Sequence, residues 1–230
     1  MQFHGFQKLT LLDYPEHTAA LLFTAGCNLR CPFCHNALLV THQKDAPPIP
    51  TEEIMTYLRK RKGLLDGVVI SGGEPLLYPE LPLVLREIKA LGYDIKIDTN
   101  GTFPDRLHAL MEEGLCDYVA MDIKNSPEKY AETVGVKNFD LAPVRESVSL
   151  LLSGGTDYEF RTTVTAELHE VADIAAIGRW IAGAKRYFLQ NFKDSGDLIG
   201  NGLHPVPTET LLRMKNAAFV HISHVGVRGL

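Results

Sequence analysis

Asp66-Gly-Val-Val-Ile-Ser71-Gly-Gly-Glu-Pro75-Leu-Leu-Tyr-Pro-Glu80-Leu-Pro-Leu-Val-Leu85-Arg-Glu-Ile-Lys-Ala90-Leu-Gly-Tyr-Asp-Ile95-Lys-Ile-Asp98-Thr-Asn-Gly101 reads as strand, helix, strand. Asp66 to Ser71 is a short β-branched run. Leu81, Val84, Leu85, Ile88 and Leu91 then recur at the i, i+3, i+4, i+7 spacing that packs one helix face onto a sheet, and Gly92 ends the helix. Asp94 to Asp98 is the next strand. Two strands joined through a helix pair in parallel with a right-handed crossover, which leaves a doubly wound sheet or a barrel.

The same alternation extends in both directions. Further strands are expected at Thr18 to Thr24, Tyr118 to Ile123, Tyr158 to Thr165 and Arg186 to Gln190, with a seventh at Phe219 to His224. Helical stripes fall at Leu107/Leu110/Met111, Leu141/Val144/Val148/Leu151 and Ile174/Ile177/Ile181, with a last helix near Thr208 to Ala217. Thr51 is the expected N-cap of the first helix, which runs to Arg59-Lys-Arg-Lys62 before Gly63. The roughly 25 residues between Cys27 and that helix add no element to this count. Six βα units imply an α/β fold, a partial (β/α)6 TIM-like barrel of parallel strands with outer helices, shorter than the ~250 residues of a full eight-unit barrel. With no internal repeat and no polar linker, residues 1–230 are expected to form a single domain.

Composition narrows the function. The 230 residues are 45% hydrophobic and 22% charged, with a net charge of −5, so the chain has no overall basic field for nucleic acid. No apolar run reaches the ~18 residues that span a bilayer, and residues 1–16 lack the core of a secretory signal, so a cytoplasmic location is expected.

The chemistry-bearing residues gather where strands finish. Cys27-Asn-Leu-Arg-Cys31-Pro-Phe-Cys34 follows the first strand, Ser71-Gly-Gly-Glu-Pro75 the second and Asp98-Thr-Asn-Gly101 the third, while Asp122-Ile-Lys124 ends the fourth. Arg161 lies in the fifth and Gln190 near the end of the sixth. Parallel α/β folds build their sites at the carboxyl ends of strands, so one composite site is expected.

Three of the four cysteines lie within eight positions, and such clustering favours a metal over disulfides. A closed structural zinc site needs four ligands, and no second pair of cysteines exists. Cys116 precedes a strand, at the opposite end of the barrel, and reads as a small packed hydrophobe. Three thiolates suit an iron–sulfur cluster with one iron left open. Zinc remains the alternative. His4, His17, His42, His204, His221 and His224 lack mutual ligand spacing, and His35 reads as a supporting or capping residue. Local readings stay open elsewhere: Gly-Gly-Glu-Pro and Asn-Gly suit plain turns, Asp122 and Lys124 an ion pair, and Arg161 a buried carboxylate partner.

C-x3-C-x-aromatic-C, with Phe33 as the aromatic, resembles the signature of the radical S-adenosylmethionine superfamily. The resemblance implies that Cys27, Cys31 and Cys34 hold a [4Fe–4S] cluster whose open iron is chelated by S-adenosylmethionine, with one-electron cleavage to methionine and a 5′-deoxyadenosyl radical. Gly72, Gly73 and Glu74 resemble the motif that receives the methionyl amine. Asp98, Thr99 and Asn100 match a segment beside the ligand, and Arg161 has the charge to meet its carboxylate. Asp122 and Lys124 match the D-x-K of the members that activate glycyl-radical enzymes, and are the expected catalytic residues. Gln190 stands where formate-lyase activators have a histidine.

Gly5-Phe-Gln-Lys-Leu-Thr-Leu-Leu-Asp-Tyr-Pro15 and Phe23 to Asn36 are similar to activating proteins of anaerobic ribonucleoside-triphosphate reductases. The expected partners are therefore that reductase and a flavodoxin or ferredoxin as electron donor. Two alternatives are a small-molecule enzyme similar to 7-carboxy-7-deazaguanine synthases and a non-catalytic iron–sulfur or zinc module.

Overall fold

The computed structural model of the protein describes residues 1–41 and 45–229; His42 lies outside them. Eight strands form one sheet in chain order: β1 (Phe3–Thr10), β2 (Ala19–Thr24), β3 (Gly67–Gly72), β4 (Asp94–Thr99), β5 (Tyr118–Asp122), β6 (Asp157–Val164), β7 (Tyr187–Asn191) and β8 (Val225–Arg228). β2 to β8 pair in parallel and β1 pairs antiparallel with β2. The six inner strands β2 to β7 are those expected. The two rim strands, β1 and β8, do not pair with each other among the described residues, so the barrel is open along that side.

The helices are α1 (Ala37–Thr41), α2 (Thr51–Arg61), α3 (Leu81–Ala90), α4 (Pro104–Glu112), α5 (Tyr130–Thr133), α6 (Ala142–Ser153), α7 (Val171–Trp180) and α8 (Thr208–Phe219). None is long and apolar enough to cross a membrane. Their buried stripes, such as Leu81/Leu85/Ile88 on α3 and Ile174/Ile177 on α7, meet the outward residues of the strands.

Four expectations are corrected. The stripe Leu211/Met214/Ala218 carries α8 through Phe219, so the last strand begins at Val225 and not at Phe219; a short apolar run at a helix end looks the same as a strand. Thr51 is the first helical residue of α2, not its cap. Pro50, with φ −58°, takes the N-cap place and its carbonyl accepts the Glu53 N–H at 3.0 Å. The interval after Cys27 does hold an element, the short helix α1. Finally, β1 was not expected: only its first and last residues are buried, as befits a rim strand, so it carries no alternating pattern.

Along the inner strands the alternation places apolar residues outward and polar ones inward. Ile95 and Ile97, Val119 and Met121, and Phe160 and Thr162 face away from the barrel axis, which leaves Lys96 and Asp98, Asp122, and Glu159, Arg161 and Thr163 on the inner face. The base of the barrel is filled by largely apolar side chains: Tyr14, Ala19, Leu21, Val69 and Tyr118 form a separate buried cluster, with the Tyr14 and Tyr118 rings 5.8 Å apart.

Candidate functional site

A cavity at the carboxyl end of the strands collects residues from β2 to β7. It is lined by Cys27, Cys31, Phe33 and Cys34 from the loop after β2, Gly72 and Gly73 from β3, and Asp98, Thr99 and Asn100 from β4. Asp122 and Lys124 from β5, Arg161 from β6 and Gln190 from β7 complete it. All sequence-expected site residues but one therefore meet there.

Glu74 is the exception. Its side chain is fully buried and does not line the cavity; it turns behind the β4 end, where it is a brace. One carboxylate oxygen accepts from the Leu76 N–H at 3.0 Å and the Thr99 hydroxyl at 2.8 Å, and the other from the Asn100 N–H at 2.7 Å. Burial pushes its carboxyl up to about 7 in spite of these donors. The two glycines before it are required by space. A Cβ on Gly72, at φ +115°, would lie 2.3 Å from the Thr24 carbonyl oxygen, and one on Gly73 would lie 1.8 Å from that of Gly26.

Charges of both signs alternate across the inner face toward the cavity. Lys96, almost wholly buried, pairs with Asp98. Arg161 lies between two carboxylates, its NH1 nitrogen 3.5 Å from Asp98 Oδ2 and its Nε 2.9 Å from Asp122 Oδ1. Lys124 Nζ donates to Asp122 Oδ2 at 3.1 Å. Ser71 Oγ donates to Asp98 Oδ2 at 3.0 Å. Burial alone would raise both aspartates, but the cations outweigh it: Arg161 and Lys96 hold Asp98 low, and Arg161 and Lys124 hold Asp122 near 2. Lys124 and Arg161, likewise against burial, are held charged by these carboxylates. Lys124 and Arg161, both lining the cavity, present cationic donors that suit an anionic guest.

The three thiols line one cavity and supply the donor type that an iron–sulfur cluster takes. Burial pushes Cys27 up to about 11 and Cys31 to about 12, and raises Cys34, while Lys124 pulls all three down. Among the described residues no three His, Cys, Asp or Glu side chains converge on one metal ion. Three thiols spread around one cavity match a polynuclear cluster, in which each sulfur takes a different iron. Cys116 is buried elsewhere, its thiol donating to the Tyr118 carbonyl at 3.2 Å.

Several residues in or behind the lining were not singled out from sequence. Thr163 pairs in register with Gln190 and follows Arg161 by two positions, so strand alternation was its signal. Asn36, whose Nδ2 donates to the Gly72 carbonyl at 2.8 Å, lies next to His35, whose Nε2 meets the Lys193 carbonyl at 2.8 Å. His169 sits behind Lys124. Its Nδ1 accepts the Thr165 N–H at 3.2 Å, so its Nε2–H donates to the Lys124 carbonyl at 2.9 Å. Burial lowers its pKa and keeps the ring neutral. No local motif marks it.

The family model described as the Radical SAM superfamily matches residues 21–168, from β2 through the end of β6. The chain belongs to the Radical SAM superfamily. Enzymes of this family use a [4Fe–4S] cluster and S-adenosylmethionine. The chain is 33% identical to a candidate glycyl-radical enzyme activating enzyme of Methanocaldococcus jannaschii, over 97% of this chain and 94% of that protein. It is 30% identical to the pyruvate formate-lyase-activating enzyme of Staphylococcus epidermidis, over 59% of this chain and 58% of that one. Among solved structures it superposes on Streptococcus suis SuiB with a TM-score of 0.71 at 15% identity, over 92% of this chain and 49% of that one, a likeness of fold.

Proposed function

We propose that this Radical SAM protein activates a glycyl-radical enzyme, taking hydrogen from a backbone glycine of a partner, and that the partner is an anaerobic ribonucleoside-triphosphate reductase. The observation that carries the reading is the near-full-length likeness to the M. jannaschii relative. The opening Gly5 to Pro15 supports the reductase as partner over other glycyl-radical enzymes.

When bound, the cluster and S-adenosylmethionine would supply one-electron reductive cleavage chemistry. Cys27, Cys31 and Cys34 would hold the cluster. Arg161 and Lys124 offer the cationic donors for the carboxylate of S-adenosylmethionine, while Asp98 and Asp122 fix those cations in place and Gly72 and Gly73 let the chain approach it closely. Phe33, Thr99, Asn100 and Gln190 form the remaining wall. Lys124 and Asp122 act in this reading as a buried ion pair, both held charged, that orients the bound groups. The partner's glycine must come within about 3–3.5 Å of the reacting carbon, so its loop has to leave its own core and enter this barrel. The open side between β1 and β8 suits such an entry. An external donor, flavodoxin or ferredoxin, supplies the electron.

The test uses a reductase deuterated at glycine under anaerobic reduction. A glycyl signal on the reductase and deuterium in the 5′-deoxyadenosine are expected. Equal deoxyadenosine from a small molecule alone, without deuterium from the protein, would favour chemistry like that of the deazaguanine synthases.

A further inference from the structure

Asn100 is held from every side, and its donor faces a sulfur. Its backbone N–H is anchored on Glu74 Oε2 at 2.7 Å. Its side-chain oxygen accepts the Thr102 N–H at 3.0 Å and the Thr102 hydroxyl at 2.6 Å. A backbone N–H can only donate, so the atom it meets must be the amide oxygen, and the NH2 is turned the opposite way. There Nδ2 lies 3.0 Å from Asn28 Oδ1 and 3.7 Å from Cys27 Sγ. The two amide hydrogens thus have one acceptor each. The Leu29 N–H points at the same sulfur from 3.4 Å. Asn100 is 5% exposed, so water competes little for its donor.

We propose that Asn100 sets the reduction potential of the cluster by donating a hydrogen bond to the Cys27 sulfur. This rests on the reading of Cys27 as an iron ligand. Negative charge on the cluster sulfurs grows when an electron is added, so a donor fixed on one of them stabilises the reduced form more than the oxidised form and raises the potential. The brace explains the unusual burial of Glu74: a carboxylate directly behind the cavity wall holds the backbone from which this donor projects. Asn100 is then a positioning and tuning residue for the metal, beyond any contact with S-adenosylmethionine.

The experiment compares wild type with Asn100→Ala, Asn100→Asp, Asn28→Ala and Asn28→Asp, each reconstituted anaerobically. Iron and sulfide are counted, then the potential is read by electron paramagnetic resonance during a dithionite titration at about pH 8, where an aspartate is ionised. Asn100→Asp keeps the acceptor for Thr102 but adds a negative charge that alone makes the cluster harder to reduce. Where the alanine variant does not load, the Asn100→Asp shift must therefore exceed that of Asn28→Asp, which puts the same charge beside the same sulfur with Asn100 intact. An equal shift overturns the proposal. Loaded Asn100 variants should be harder to reduce by about tenfold in equilibrium constant, about 59 mV for one electron. Asn28→Ala opens the same side but keeps the donor on sulfur, and should move less than half as far. A loaded Asn100→Asp reduced at the wild-type potential, or an Asn28→Ala shift as large as that of the Asn100 variants, overturns the proposal. Full iron in Cys27→Ala would instead remove the ligand reading on which it stands.

Discussion

Arg161 and Asp122 lie in direct register on β6 and β5, and the Arg161 Nε meets Asp122 Oδ1 at 2.9 Å. The same guanidinium reaches Asp98 at 3.5 Å, so one planar side chain spans three strands. Lysine carries the charge but not the fork, and cannot hold both carboxylates at once.

Arg161→Ala should therefore weaken S-adenosylmethionine binding to the reconstituted protein about 10- to 100-fold, the loss of a charged hydrogen bond of ~1.5–3 kcal/mol. Iron content should stay near wild type, and Arg161→Lys should fall between the two. Equilibrium binding beside iron analysis checks this; unchanged binding in Arg161→Ala would remove the residue from the ligand site.

Asp122 makes stability depend on acid. Its folded pKa near 2 lies below the ordinary 3.8, so its contribution is present above pH 3.8 and is lost as pH falls through 2. At about 1.4 kcal/mol per pH unit, the contribution is about 2 kcal/mol. Asp122→Asn should flatten that limb of the stability curve between pH 4 and 2, as read by urea unfolding. A limb as steep as that of wild type would show that other carboxylates carry it.

Single alanine variants of Cys27, Cys31 and Cys34 should lose the cluster on anaerobic reconstitution, and Cys116→Ala should keep it, because Cys116 bonds the Tyr118 carbonyl away from the cavity. Iron loss confined to Cys116→Ala would reverse the assignment.

Glu74→Gln replaces an acceptor with a donor opposite one of three fixed donors. A buried mismatch of this kind costs ~1–3 kcal/mol, and in a chain this long each kcal/mol lowers Tm by ~2–4 °C. Calorimetry should show that drop.

Sequence made the inner strands and the lining residues legible because parallel strands bury continuous apolar runs and deposit polar groups at their ends. It could not separate Glu74 from Asp98. Both are acids at strand ends, but only packing decides that one faces the cavity and the other turns behind it. Lys96 stayed hidden for a similar reason: between Ile95 and Ile97 it reads as a solvent-facing residue, whereas in a barrel that alternate face is the interior. His169 reaches Lys124 across 45 positions of sequence, a relation no local pattern encodes.

The stopper of Tyr14, Leu21, Val69 and Tyr118 makes the barrel a vessel sealed at its base. On the proposed reaction, guests would arrive over the rim or through the slit between β1 and β8. On that reaction such a vessel would fill in order, the small cofactor first and the bulky protein loop over it. Under the proposed reaction, saturating partner added ahead of S-adenosylmethionine slows turnover, and the spent nucleoside leaves only after the loop withdraws.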